Sequence, residues 1–219
     1  MYLFYTNEYK RNSAHSRELL AMSIRKLTML DTDLLVTPKI AALDDNELRR
    51  YISDNIEMNK NGKPSIKGIP DYSISHGENT WAIIFSDTPC GLDIQYNREA
   101  KLEKIASKFY QEDEAESADR LGQDEFFRIW SRREALIKAA GSTVFSEAPS
   151  TMGGIASYQG FEWCIYDVSI DFEENNHESK LSVTSMQERK LKRPHVAVAV
   201  RCDSEFKEAG NIKALKLEL

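Results

Sequence analysis

Between residues 126 and 141 the chain reads FFRIWSRREALIKAAG, and Phe126, Ile129, Arg133, Leu136, Ile137 and Ala140 recur at the helical period. Trp130, Glu134 and Lys138 follow the same period four apart, so they form a second stripe beside the apolar one. Gly141 is a natural stop. An aromatic ring, an acid and a base in one line is unusual for a solvated face. An ordinary surface Glu–Lys pair, contributing a few tenths of a kcal/mol, has the same spacing, so the helix alone does not decide its role.

The remaining pattern predicts short strands and helices in turn. Residues 1–5 are a strand candidate, and residues 15–30 carry Leu and Met at helical spacing with Arg off that face. Residues 45–58 read as a second, more polar helix, and the Gly, Pro and Lys of residues 59–70 read as a loop. Strands follow at 71–75, 81–85 and 91–95. In the last of these Leu92 and Ile94 alternate with Asp93 and Gln95, which places the acid and the amide on one face. Helices are predicted at 101–110 and 112–121, ahead of the 126–141 helix. Residues 142–160 read as a loop, strands at 161–170, 180–184 and 195–201 come next, and a charged tail covers 203–219. The second half loosely repeats the first, with a seam at residues 96–100. This pattern predicts an α+β fold of two similar lobes, residues 1–97 and 98–219.

With 219 residues, 41% of them hydrophobic, the chain has ample material for such a core. Its net charge of −6 argues against general nucleic-acid binding. Cys90, Cys164 and Cys202 form no CxxC and are odd in number, and the four histidines show no HxxxH spacing. Neither a zinc site nor a disulfide is expected. No run suits a signal peptide or a membrane span. These features predict a reduced, cytoplasmic protein.

Asp93 follows Gly91 at the end of a hydrophobic strand, where an acid is disfavoured. It is either a strand-end cap or a ligand. Gly91 permits something to approach the backbone closely. Were Asp93 and Glu134 to meet, the two carboxylates would need a cation between them, and an all-oxygen donor set suits Mg²⁺. His76, at a strand end after Ser73-Ile74-Ser75, is either a turn histidine or a donor to an anion, with Lys63-Pro64 as a further source of positive charge.

Taken in order, these pieces resemble the 4′-phosphopantetheinyl transferases of the surfactin-type (Sfp) branch. That signature is roughly (I/V)-G-(I/V)-D and, some forty residues on, (F/W)-S-x-K-E-(A/S)-x-x-K. Here Gly91-Leu92-Asp93 and the nine residues from Trp130 to Lys138 stand in those places, and Gly62-Lys63-Pro64, Ser73-Ile74-Ser75-His76 and the segment Ala14-His15-Ser16-Arg17-Glu18-Leu19-Leu20 match upstream. An unrelated α+β protein would need five ordered coincidences.

The resemblance implies two lobes packed as an intramolecular pseudo-dimer with the site between them. It implies a holo-[acyl-carrier-protein] synthase type enzyme that moves phosphopantetheine from coenzyme A to a serine of an apo acyl or peptidyl carrier protein, releasing adenosine 3′,5′-bisphosphate. Asp93 and Glu134 would bind Mg²⁺, with Gln95 secondary. Glu134 would also be the base, and Lys138 would steady the pyrophosphate. Arg17, Lys63, Pro64, Ser75, His76 and Arg133 would contact coenzyme A. Gln95 stands where the branch often has a second acid, and Arg133 where it commonly has Lys; Lys10 and Arg11 are candidates to replace basic residues that longer members carry upstream. Lys101, Lys104 and Lys108 form one stripe, read either as a solvated face or as a dock for an acidic carrier. The basic run 189–193 is taken as a solvated turn. No nucleic acid or membrane is expected as a partner, and a monomer is expected. The alternative is a catalytically weak member that binds coenzyme A or a carrier without turnover.

Overall fold

Residues 80–86, TWAIIFS, are buried at every position, so this segment must be covered on both faces. A computed structural model, which describes residues 1–30, 32, 34, 36–143, 145–170, 193–202 and 212–218, shows what covers it. The described elements run β1 (Tyr2–Thr6), α1 (Ser13–Met29), α2 (Pro38–Ala41), α3 (Asp45–Asn55), β2 (Ile56–Met58), β3 (Pro64–Ile66), β4 (Asp71–Gly77), β5 (Thr80–Ser86), β6 (Cys90–Gln95), α4 (Leu102–Phe109), α5 (Glu112–Leu121), α6 (Gln123–Ala139), β7 (Ile155–Tyr158), β8 (Phe161–Asp167), β9 (His195–Arg201) and β10 (Lys213–Lys216). The fold is α+β.

Two four-stranded sheets, β10-β1-β5-β4 and β6-β9-β8-β7, share an apolar layer. Leu3, Tyr5, Ala82 and Ile84 of the first meet Leu92, Ile94, Val196 and Val198 of the second. The other face of β5, with Trp81, Ile83 and Phe85, packs on Leu20, Ile24 and Leu27 of α1 and Leu48 and Ile52 of α3. The other face of β9, with Ala197 and Ala199, packs on Ala135, Leu136 and Ala139 of α6. Each sheet therefore carries its helices on the outside. β4 and β6 run side by side without a backbone ladder. Instead the Ser73 and Ser75 hydroxyls accept hydrogen bonds from the Leu92 and Ile94 amides at 3.0 and 3.1 Å.

Several elements differ from the sequence-based expectation. The helix begun at Asp45 ends at Asn55; the next three residues form β2, whose hairpin with β3 lies partly in the expected loop. β7 lies in the expected loop 142–160; of its four residues only Ala156 and Tyr158 are buried, so the apolar signal is short. The tail supplies β10, parallel to β1. The expected strand 180–184, most of the basic run 189–193 and residues 203–211 of the tail lie outside the described residues. Cys164 and Cys202 form a disulfide, which corrects the expectation of three unpaired, reduced thiols. Their separation of 38 residues is closed by antiparallel pairing of β8 with β9, which sets Cys164 opposite Val200. Cys90 is free and buried. Among the described residues no helix is long and apolar enough to cross a membrane.

Gly91 is the point of closest approach. A Cβ there would lie 2.0 Å from the Ala135 carbonyl oxygen and 2.5 Å from the Ala139 amide nitrogen, both in the backbone of α6. Gly91→Ala must therefore push the helix off the sheet, at a cost of about 1–3 kcal/mol, read as a fall in Tm of roughly 2–12 °C. Gly153→Ala is the control, because its Cβ would meet nothing closer than 3.9 Å; its Tm should stay within about 1 °C of the parent.

Candidate active site

Helix α6 is buried on most of its surface, and Trp130, Glu134 and Lys138 form the half-buried stripe its spacing predicts. The contact at Gly91 brings that stripe against β6. Asp93, 4% exposed, points from β6 to the α6 side. Its Oδ1 accepts from Lys138 Nζ at 2.6 Å and from the Ser75 hydroxyl at 3.0 Å, and its Oδ2 accepts from Gln95 Nε2 at 2.7 Å. Lys138 also donates to the Leu92 carbonyl at 3.0 Å and to Ser75 Oγ at 3.3 Å. Burial raises the Glu134 carboxyl above the usual range, the Asp93 charge raises it further, and Lys138 opposes both. Among the described residues the Glu134 carboxylate has no hydrogen-bond partner. Asp93, Glu134, Lys138, Ser75 and Gln95 are therefore brought together.

His76 lies one residue beyond Ser75 on β4. Its ring is exposed and tilted on Tyr9 at 5.1 Å between centroids, and Tyr9 stacks on His15 at 5.8 Å. Burial of part of the ring lowers the His76 pKa, and Lys138 and Arg11 lower it further. Asp93 opposes them more weakly. Arg11 is close enough to act on His76. Arg17 is exposed on the first turns of α1, next to Ser16, whose hydroxyl accepts from Trp81 Nε1 at 2.9 Å.

Three further residues expected at coenzyme A have surroundings of their own. Lys63 is paired with Asp71 at 2.7 Å and donates to the Cys90 carbonyl at 2.9 Å. Asp71 and His76 are five residues apart on β4, about 16 Å along the strand, so Lys63 and His76 do not converge. Pro64 sits opposite Met58 in the β2–β3 hairpin. Arg133 is 4% exposed and pairs at 2.5 Å with Glu114, which is 0% exposed. It also donates to the carbonyls of Ala148 and Pro149, both at 3.2 Å, and lies over the Tyr110 ring. Glu114 accepts in addition from the Thr151 amide and hydroxyl, each at 2.8 Å. Arg133 thus ties α5, α6 and the segment after α6 together. Sequence reading missed Glu114 because it lies in the acidic run QEDEAE, where a buried acid looks like its solvated neighbours.

The donor set suits Mg²⁺. Asp93 and Glu134 offer carboxylate oxygens, and the ammonium of Lys138 already lies against Asp93 as a cation of opposite charge. Among the described residues no three His, Cys, Asp or Glu gather as a metal cage, so water or substrate oxygens would fill the other positions, as Mg²⁺ prefers. Beside Glu134, Phe109, Trp130 and Ile137 line a narrow slot. A wider groove lined by Glu112, Asp113, Glu116 and Glu147 shares no residue with this centre.

Breaking a buried pair leaves a charge uncompensated at a cost of about 3–5 kcal/mol. Glu114→Ala should lower stability to denaturant by that amount, and Arg133→Met with Glu114→Leu should recover much of it. Coenzyme A affinity per folded molecule should stay unchanged in the double variant, as checked by calorimetry; a large loss would place Arg133 in the binding site.

Residues 89–190 match the 4′-phosphopantetheinyl transferase superfamily. The chain is 31% identical over 116 residues to 4′-phosphopantetheinyl transferase Sfp of Bacillus subtilis, covering 45% of this chain and 50% of that protein. It is 31% identical over 111 residues to the transferase gsp of Aneurinibacillus migulanus, covering 45% and 46%. To psf-1 of Bacillus pumilus it is 33% identical over 96 residues, covering 40% of each. The chain spans about half the length of the curated relatives it matches. The matched segment holds Asp93, Glu134 and Lys138, and over it the chain is similar to 4′-phosphopantetheinyl transferases of the Sfp type.

Proposed function

We propose that this protein transfers the phosphopantetheine of coenzyme A to a serine of an apo acyl or peptidyl carrier protein and releases adenosine 3′,5′-bisphosphate. The observation that carries the reading is the meeting of Asp93, Glu134 and Lys138 within the segment that matches the transferase superfamily. Asp93 and Glu134 would hold Mg²⁺, with Gln95 beside them. Bound there, the ion would neutralise charge on the diphosphate.

The chain's own groups supply the rest. The carrier serine oxygen bonds to the phosphorus next to pantetheine as the bridging P–O bond breaks, and the bisphosphate leaves with the bond's electron pair. The serine proton goes to the Glu134 carboxylate, whose raised affinity for protons suits a base. Lys138, one turn away, has an ammonium that can meet the diphosphate. Arg11 would supply positive charge and the neutral His76 ring a hydrogen bond at the 3′-phosphate end of coenzyme A, with Arg17 of α1 as a further candidate. A two-lobed pseudo-dimer, with residues 1–97 and 98–219 as its halves, is consistent with two sheets each backed by helices. β6 and β10 cross that boundary, each pairing with strands of the other half. A monomer follows from that reading, since one lobe takes a partner's place.

The first test is the mass of an apo carrier protein after incubation with this protein, coenzyme A and Mg²⁺. A gain of one phosphopantetheine is expected, abolished by chelator, with the rate cut at least about a hundredfold in Glu134→Ala. Coenzyme A binding with no gain on any carrier would instead establish a binding-only protein. Lys101, Lys104 and Lys108 are exposed on or next to α4, and Lys108 lies over the Phe109 ring beside Trp130. Lys104→Glu with Lys108→Glu should raise the KM for an acidic carrier roughly tenfold and leave the KM for coenzyme A unchanged. An unchanged carrier KM would remove α4 from the docking surface.

A further inference from the structure

We infer that Lys138 and Gln95 keep a divalent cation off Asp93 until the diphosphate of coenzyme A draws Lys138 away, so that metal and coenzyme bind as a pair. This rests on the reading above that Asp93 is a metal ligand. Both oxygens of Asp93 are engaged within the protein. Oδ1 carries Lys138 and the Ser75 hydroxyl, and Oδ2 carries the Gln95 amide nitrogen. The ammonium has three protons, and three acceptors meet them: Asp93 Oδ1, the Leu92 carbonyl and Ser75 Oγ. Among the described residues these three are the acceptors it donates to, with the Glu134 carboxylate as the other charge acting on it. A metal arriving alone must sit beside that ammonium and suffer its repulsion, or expel it from a site that satisfies it in full.

Gln95 adds a second lock. At 2.7 Å from a carboxylate oxygen, the amide must present its nitrogen, since two acceptor oxygens would repel. To offer its own oxygen to a metal at Asp93, the amide has to turn over and give up that bond. The Lys138 side chain is 31% exposed, so it has a route outward. A diphosphate arriving on that side offers the ammonium new anionic partners, and its departure uncovers Oδ1. Lys138 is then a positioning residue for the metal as well as a partner of the diphosphate.

The test is binding of Mn²⁺, followed by the electron paramagnetic resonance of the free ion, with and without coenzyme A. The parent protein should bind Mn²⁺ weakly alone and at least tenfold more tightly with coenzyme A. Lys138→Met, and Lys138→Gln as a second variant, should bind Mn²⁺ alone about tenfold more tightly than the parent. Their gain on adding coenzyme A should shrink by a similar factor. Circular dichroism melts identify which variants are folded. Equal Mn²⁺ affinity of parent and folded variants without coenzyme A, or an undiminished gain with it, overturns the inference. Asp93→Asn separates the two levels: if it leaves Mn²⁺ binding with coenzyme A unchanged, the metal is not at Asp93 and the underlying reading fails instead.

Discussion

The close contact of α6 with β6 at Gly91 is the constraint on which the centre depends. A helix normally stands off a sheet by the depth of the side chains between them. Here the layer is thinned by Gly91 on one side and by Ala135 and Ala139 on the other, with Ala197 and Ala199 alongside. Glu134 and Lys138 flank those alanines in sequence. Once the helix lies at backbone distance, their side chains have only a short way to go to Asp93. A larger residue at 91 would move α6 as a body and change the Lys138 and Glu134 positions together. The arrangement is therefore set by packing before any charge acts.

Adjacent residues on α6 then meet opposite fates. Arg133 points to α5 and is fixed by Glu114 and two carbonyls, while Glu134 points toward Asp93 and is left without a hydrogen bond among the described residues. A buried pair such as Arg133–Glu114 gains little net stability, because desolvation offsets most of the attraction, but it is costly to break. Its effect is to hold the helix in one rotation. That rotation keeps the Trp130–Glu134–Lys138 stripe turned to the opening. The aromatic contact of Trp130 with Phe109 of α4 acts in the same direction.

What could be read in the sequence was local. The stripe on α6 follows from a period of 3.6 residues, and the shared face of Asp93 and Gln95 follows from a period of two, and both hold. What was hidden depends on long-range register. β10 gains its partner only when residues 213–216 meet residues 2–5, and Cys164 finds Cys202 only when β8 and β9 align. The position of the Lys63 ammonium is set by Asp71 and the Cys90 carbonyl, neither of which its loop predicts. Glu114 is one acid among several until the fold selects it for burial. A motif thus names residues in the right order without saying which are free to meet a ligand.

The junction of β4 with β6 explains how a charge can lie so deep. A backbone ladder would bring the strands to about 4.8 Å and leave the amides of Leu92 and Ile94 satisfied by carbonyls. Here serine hydroxyls do that work, at the same nineteen-residue offset for Ser73 with Leu92 and Ser75 with Ile94. A hydroxyl can accept and donate at once. Ser75 accepts from the Ile94 amide and donates to Asp93, so the seam between the sheets is polar where the acid sits and apolar one residue to either side. The same seam leaves the Leu92 carbonyl free of β4 and open to Lys138. The buried acid, its lysine and its serine are then consequences of one choice, the replacement of a strand ladder by two hydroxyls.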